Sequence, residues 1–503
     1  MDFATHGDAD APQAAPYIQA YETHTGVVVV AGERAFKAKK PVQTDFLDFR
    51  AAAQREQACA REVELNSRLS PDSYFGIAHL SDPAGAASEP IIVMRRYHDE
   101  DRLASMVKRG EPVEHVLDSI AALLADFHQR AERGPRISLQ GTPEAIRRRW
   151  DDNFPTLQRH ADTAVPSETV RRVQALAAEY VAGRACLFAQ RVEQGRIVDG
   201  HADLLADDIF WADNQPVLLD CLEFSDELRY IDGIDDAAFL AMDLEFLGRK
   251  DLGDTFLDSY AAHAGDTAPS SLRDFYLAYR AVVRAKVDCV RLTQRRAGAE
   301  AAAAAHLDIA LRHLENGAVR LVLVGGGPGT GKSTLARKLA EQVGAVVLST
   351  DDVRQELRSS GRLSGEPGSL GAGLYAPANV AAVYEAMLHR AGRYLDGGQS
   401  VILDGTWRDA KIRADAHRLA VAKHAAVAEI RCAVPADVAA DRIRNRAPGN
   451  SDATPQIAAA LSAQDFQWDT AQRIDTAQPL DQSVRTAHEL WRGMIQARDE
   501  GVR

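Results

Sequence analysis

The segment "LVLVGGGPGTGKSTLARKLA", Leu321 to Ala340, constrains this chain more than any other stretch. An apolar run ends in a burst of glycine, a lysine and two hydroxyl residues follow, and a helical pattern begins. Gly326-Gly327-Pro328-Gly329-Thr330-Gly331-Lys332-Ser333 fits G-x-x-x-x-G-K-[ST], with a strand before it and a helix after it. Glycine lets the backbone wrap closely around phosphate, so that consecutive N–H groups point inward and the next helix adds its positive end. Gly326 through Thr334 are therefore expected to bind the phosphates of ATP, with Lys332 neutralising the outer ones and Ser333 offering a hydroxyl to Mg²⁺. A tight strand–helix turn without a ligand is the alternative, and the flanking strand and helix argue against it.

The motif begins some three hundred residues into a chain of 503, longer than one hydrophobic core sustains, so more than one domain is expected. With 46% apolar and 26% charged residues, the composition is that of a soluble globular protein. No apolar run approaches the roughly 18 residues that span a bilayer, and the start "MDFATHGDAD" lacks the regions of a signal peptide. A cytoplasmic location without membrane contact is the expectation. Cys59, Cys186, Cys221, Cys289 and Cys432 lie far apart without metal-ligand spacing, which points to reduced, packed thiols. A net charge of −13 disfavours a broad nucleic-acid surface, because phosphate backbones are bound through clustered Lys and Arg.

From Arg295 to Gly317 the composition turns to Ala, Leu and Glu, which predicts a helical connector ended by Gly317, a residue tolerant of positive φ. Beyond it, short apolar strands ("VRLVLVG", "AVVLSTD", "SVILDG", "AVAEIRCAV") alternate with amphipathic helices, the pattern of a parallel α/β sheet covered on both faces. Before it, a hairpin at "GVVVVAGERAFKAKK", a helix at "AAAQREQACAREVELNSRL", a strand at "EPIIVMRRY" and then long helices predict a small sheet lobe plus a helical lobe, an α+β arrangement. The expected domains are thus residues 1–295, a connector 296–317, and residues 318–503. The segment Ser359–Gly373 is expected to be a mobile loop.

A phosphate cradle alone specifies binding and no reaction. "VVLSTDDVRQEL" delivers Asp351, Asp352 and Arg354 at the carboxyl end of a strand, where open α/β sheets bind ligands. Asp351 can accept a proton from a substrate hydroxyl and Arg354 can hold a polar or anionic substrate, whereas Asp352 equally suits a helix N-cap. Asp404, ending the apolar strand "VILD", stands where a carboxylate would hold Mg²⁺. Arg442, Arg444 and Arg446 lie on one helix, with Arg442 and Arg446 sharing a face at i,i+4; a bound polyanion or a solvated basic face would explain them.

Together these residues resemble the P-loop small-molecule kinases, the gluconate-, shikimate- and polynucleotide-kinase-like group within the AAA-type P-loop NTPases, over about Ala318 to Ile495. The resemblance implies that Asp351 and Arg354 serve the substrate and that Arg442 and Arg446 close over ATP as a lid. Upstream, "DGHADLLADDIFWADNQPVLLDCLEF" resembles the aminoglycoside-phosphotransferase and choline-kinase-like fold, a two-lobed relative of protein kinases, over about Tyr17 to Leu292. That resemblance implies Asp203 beside His201 as the catalytic carboxylate, which could orient or deprotonate a hydroxyl, with Asp208 and Asp220 as Mg²⁺ ligands. Ala202 stands for the family's Gly, Leu205 for its second His, and Asp208 for its Asn. It further implies that Lys37 contacts phosphate and pairs with Glu62, with Glu64 as the rival. Only Gly26 represents the expected Gly-rich loop.

The chain as a whole resembles a bacterial fusion of the two kinds of kinase. The reading that follows is a phosphotransferase dependent on ATP and Mg²⁺, acting on a small hydroxylated acceptor such as a sugar or amino sugar. An ATP-gated regulatory protein with an inactive first half, and a nucleic-acid end kinase, are the alternatives.

Overall fold

The computed structural model describes residues 18–22, 26–43, 48–81, 88–366, 371–445 and 467–500, the last five of these without their side chains. By its contacts the chain divides into two units: Met1–Ile137 with Val198–Asp266, and Ser138–Ile197 with Thr267–Arg503.

In the first unit, β1 (Ile18–Glu22), β2 (Gly26–Ala31), β3 (Arg34–Lys39), β4 (Tyr74–Leu80) and β5 (Glu89–Arg95) form an antiparallel sheet in the order β1-β2-β3-β5-β4. The expected hairpin is β2–β3, with Val28 opposite Lys37. Strand periodicity puts Ala35, Lys37 and Lys39 on one face, and Cys59, Tyr74, Ile92 and Met94 join Ala35 in the apolar cluster there. The helix Ala52–Asn66 brings Glu62 to that face. A helical lobe follows, in which Leu117, Ile120, Ala121 and Leu124 of the Glu114–Arg130 helix are 0% exposed, the i, i+3, i+4, i+7 stripe of a helix facing a core. Short strands β6 (Ile197–Asp199), β7 (Ile209–Ala212), β8 (Gln215–Leu218) and β9 (Tyr230–Asp232) frame the segment from His201 to Asp220. The two-lobed architecture agrees with expectation; β1 and β4, whose sequences alternate weakly, were not legible.

The second unit carries a parallel sheet of β10 (Arg320–Gly325), β11 (Val346–Ser349), β12 (Val401–Asp404), β13 (Ala426–Ala433) and β14 (Gln472–Asp475), in the order β11-β12-β10-β13-β14. Helices cover it, and β10 lies between β12 and β13. Successive strands leave the first in opposite directions, so the switch point falls at the carboxyl end of β10, where the glycine-rich segment begins.

The packing does not follow the expected boundaries 1–295, 296–317 and 318–503. The helix Ala299–Gly317 exists, yet it packs against the Ser270–Thr293 helix and buries Ala303, Leu307 and Ala310 completely. His306 meets Asp288 at 2.8 Å and His313 meets Asp274 at 2.6 Å. Both helices, and Ser167–Gly183 with Ala185–Glu193, share the unit of the parallel sheet. Arg184, 1% exposed, donates to the carbonyls of Leu395, Lys423 and His424, and Ser271 Oγ donates to Gly398 O at 2.6 Å. The helix ends at Gly317 as expected, but not through a positive φ. Gly317 is helical, and glycine is needed because a Cβ there would lie 2.8 Å from Asp274 Cβ and 3.1 Å from Ser271 O. Of the cysteines, four are buried and Cys186 is exposed. Residues 367–370 of the loop expected to be mobile lie outside the described residues.

Candidate active sites

The glycine-rich segment is built from backbone. Gly326, Gly329 and Gly331 take φ of 143°, 79° and 81°, values that side chains resist. A Cβ on Gly329 would also collide with Ala439 O, and one on Gly326 would lie 2.7 Å from Cys432 O. Lys332 opens the helix Lys332–Val343, so the N–H groups of its first turn face the loop. Thr330 Oγ1 donates to Gly327 O at 2.8 Å, and Thr476 Oγ1 to Thr330 O at 2.5 Å. Arg442 donates to Thr476 O at 2.8 Å and reaches over Gly331, while Arg446 lies outside the described residues.

Asp404 ends β12 opposite Val324 and is 2% exposed. Burial pushes its carboxyl up, against the charge of Lys332 and a hydrogen bond from Ser333. Its Oδ1 is buried with no hydrogen-bond partner among the described residues, and such an orphan is costly unless a ligand or water satisfies it. Ser333 and Asp404 therefore fit Mg²⁺, which keeps several waters and needs few protein ligands.

Beside them, Ser349 caps the helix Thr350–Ser359 by accepting from Asp351 N at 3.2 Å, which leaves neither Asp351 nor Asp352 in the capping role. Asp351 instead pairs with Arg354 at 2.8 Å, and the Arg354 guanidinium lies 4.6 Å over the Tyr375 ring. The turn after β12 is held in an unusual shape, with the fully buried Trp407 at φ 55°. Tyr384 OH accepts from the N–H of both Thr406 and Trp407 at 3.1 Å. Trp407 Nε1 donates to Leu403 O, and Arg413 to Trp407 O at 2.7 Å. A residue in this sparsely populated conformation persists because so many partners hold it.

The site in the first unit is built from side chains. Lys37 Nζ lies 2.8 Å from Glu62 and 2.5 Å from Asp220; the rival Glu64 pairs with Arg61 instead. Burial pulls the Lys37 ammonium down, but Asp220, Glu62 and Glu223 outweigh it and hold its pKa well above the usual lysine value. Asp208 behaves oppositely: burial, then the charges of Asp220 and Asp203, push its carboxyl well above the ordinary range. Asp220 is held low because Lys37 outweighs its burial. Asp208 thus feels the charges of Asp220 and Asp203, and a cation beside it would relieve that repulsion. Among the described residues no group of three or more His, Cys, Asp or Glu side chains forms a ligand cluster.

His201 is fully buried, with Nε2 at 3.1 Å from Leu219 O. Ala202, standing for glycine, takes φ 68°. The reason it can do so lies in Asp236, which accepts from His201 N at 2.6 Å and Ala202 N at 2.9 Å and also meets His128 Nε2 at 3.0 Å. Sequence reasoning missed Asp236, because its partners are distant in sequence. It also missed Lys39, Glu223, Tyr384 and Trp407, whose roles come from tertiary contacts.

Comparison with known proteins gives the following. The AAA domain family matches residues 321–468, which implies nucleotide binding by the P-loop. An uncharacterized protein of Mycobacterium tuberculosis and another of Mycobacterium bovis are each 62% identical over 480 residues, covering 95% of this chain and 96% of theirs. Among solved structures, a choline/ethanolamine kinase family protein from Mesorhizobium loti is similar to 60% of this chain over 94% of its own, at 15% identity and TM-score 0.36. A gluconokinase from Sinorhizobium meliloti is similar to 37% of this chain over 95% of its own, at 18% identity and TM-score 0.26. No helix among the described residues is long and apolar enough to cross a membrane.

Proposed function

For this chain, which belongs to one family with the mycobacterial proteins, we propose the function of a phosphotransferase that uses ATP and Mg²⁺ to phosphorylate a hydroxyl of a small molecule, the P-loop site being the surer catalyst. The observation that carries this reading is the meeting, at one sheet edge, of a backbone phosphate cradle, a buried carboxylate with an orphan oxygen, and the Asp351–Arg354 pair.

In this reading the loop amides and Lys332 hold the outer phosphates, and Arg442 closes over them from the Ala436–Arg444 helix. Ser333 and Asp404 would hold Mg²⁺, and the ion would supply charge neutralisation at the phosphates. Asp351 takes the proton of the acceptor hydroxyl as its oxygen bonds to the terminal phosphorus, and ADP departs. Arg354 orients Asp351 and the acceptor. The rigid Trp407 turn limits the space in which the acceptor sits. In the first unit, Lys37 held by Glu62 would contact nucleotide phosphate, Asp208 and Asp220 would hold the metal, and Asp203 would face the acceptor.

The test is a screen of acceptor-dependent ADP release across sugars, amino sugars and nucleosides, run with the parent chain and Lys332→Ala. Loss of a fixed phosphate cation should abolish the P-loop contribution while folding persists. Acceptor-independent slow turnover would favour a regulatory ATPase instead, and stimulation by polynucleotide ends a nucleic-acid kinase.

A further inference from the structure

Lys39 has no role in any of the chemistry above, yet it is the more deeply buried of the two lysines on its strand, with 1% of its side chain exposed. Its ammonium lies 2.5 Å from Glu62 Oε2 and 2.5 Å from Glu223 Oε1. Glu62, 0% exposed, gives its other oxygen to Lys37 at 2.8 Å, and Lys37 reaches Asp220 at 2.5 Å. The five side chains form one alternating line: Glu223, Lys39, Glu62, Lys37, Asp220. It begins and ends on the same short segment, since Glu223 follows Asp220 in "DCLE".

The line ties three elements together. Lys37 and Lys39 come from β3, Glu62 from the Ala52–Asn66 helix, and Asp220 and Glu223 from the segment after β8. A buried charge is tolerated only when paired, and removing one partner leaves the others uncompensated. Moving the helix outward would strand two buried ammonium groups at once. Moving the Asp220 segment would strand both lysines from the other side. We propose that Lys39 is a positioning residue that locks the Lys37–Glu62 pair and the Asp220 segment into a single arrangement, so that the first unit holds its nucleotide site assembled without an activating step. This rests on the reading of the first unit as a nucleotide site.

The alternative is that Lys39 merely neutralises buried carboxylates. The two roles differ in what happens at Lys37. An acyl phosphate of ATP reports this directly: the lysine amine attacks the acyl carbonyl, an amide forms, the C–O bond to the terminal phosphate breaks, ATP leaves, and the amine proton passes to water. Lys332 of the same chain provides the internal reference.

With the full chain, both Lys37 and Lys332 are expected to be acylated, in competition with ATP. Lys39→Met should lower the rate at Lys37 about tenfold or more at saturating probe, as a misplacement near 1 Å would, with Lys332 unchanged. The double variant Lys39→Met/Glu223→Leu removes one cation and one anion together. It should recover thermal stability while labelling at Lys37 stays low, because the link between the helix and the Asp220 segment is still missing. Equal labelling of Lys37 in the parent and Lys39→Met, or full recovery of labelling in the double variant, would reduce Lys39 to a neutralising role and overturn the proposal. If Lys332 is labelled in the parent and Lys37 is not, the nucleotide reading of the first unit falls, and Lys39 as its organiser falls with it.

Discussion

In the proposed reading, the two candidate sites would place charge near phosphate by different means. In the P-loop site the anion receptor is main chain: glycines at positive φ packed so closely that a Cβ on Gly329 would strike Ala439 O. Nothing there has to be ionised in advance except Lys332. In the first unit the proposed receptor is an assembly of charged side chains whose members lie far apart in sequence, as in the Lys37–Asp220 pair. A backbone receptor depends on local conformation and survives loss of distant contacts. A side-chain receptor depends on the tertiary fold and carries the desolvation cost of every charge it buries. The first should be robust to remote substitutions and lost at once with Lys332; the second should respond to many residues, each partially.

The largest expected difference concerns the chemistry of the P-loop site. Asp351→Asn should lower the acceptor-dependent rate about a hundredfold or more, the effect of losing a general base, with ATP affinity nearly unchanged by calorimetry. Asp352→Asn should do much less. If Asp352 proves the more damaging position, the base has been misassigned.

Next in size is the dependence of the second unit on helices that precede the P-loop in sequence. Arg184→Ala leaves the carbonyls of Leu395, Lys423 and His424 without their donor, and should cost about 2–4 kcal/mol in chemical denaturation, from lost charged hydrogen bonds and the cavity. A denaturation midpoint equal to that of the parent would show that the sheet does not rely on them. For the same reason a cut near Ala303, which is fully buried, should yield a C-terminal piece that aggregates.

A smaller effect should separate the sites by their carboxylates. Asp208 is raised in the folded chain by burial and by Asp220 and Asp203. A carboxyl raised on folding keeps its proton while the unfolded chain releases it, so folding loses stability as pH rises from the ordinary carboxyl range up to the raised one of Asp208. Asp208→Asn removes that penalty. It should raise the melting temperature at pH 7 without Mg²⁺ by about 2–4 °C and shrink the rise that Mg²⁺ and ATP produce, with the difference fading toward about pH 4. A lower melting temperature for the variant would contradict the repulsion.

The smallest effect concerns Ala202, held at φ 68°. Ala202→Gly relieves a left-handed alanine at about 1–2 kcal/mol and loses some of it to the freer unfolded chain, so a gain below about 1 kcal/mol is expected. Clear destabilisation in urea would mean that the Asp236 hydrogen bonds leave no strain to relieve.

What could be read in the sequence follows the same division. The cradle was legible because its requirement is local: glycines, Lys332 and Ser333 in one contiguous run between a strand and a helix. Asp351, Arg354 and Asp404 were legible from their place after apolar strands. Lys37 with Glu62, and Asp208 with Asp220, came only through family resemblance, and nothing local distinguishes Lys37 from Lys39 in "AFKAKK". Period-2 alternation puts both on one face, and only the helix placed opposite assigns them different partners. The unit boundary was not legible either. An Ala-rich helix reads as a connector until its neighbour is known, and the burial of Ala303 and the clearance required at Gly317 are facts about that neighbour. β14 escaped notice because "QRID" is a polar edge strand with three of its four residues exposed.

Under the proposed function, one chain carries two separate nucleotide sites, one made of backbone and one of paired side chains. Equilibrium titration of the full chain with a non-hydrolysable ATP analogue and Mg²⁺ tests it most directly. Two bound nucleotides per chain are expected, with Lys332→Ala removing one class of site and Lys37→Ala the other, each without disturbing the remaining class. A single site in the parent, abolished by Lys332→Ala and indifferent to Lys37→Ala, would contradict it.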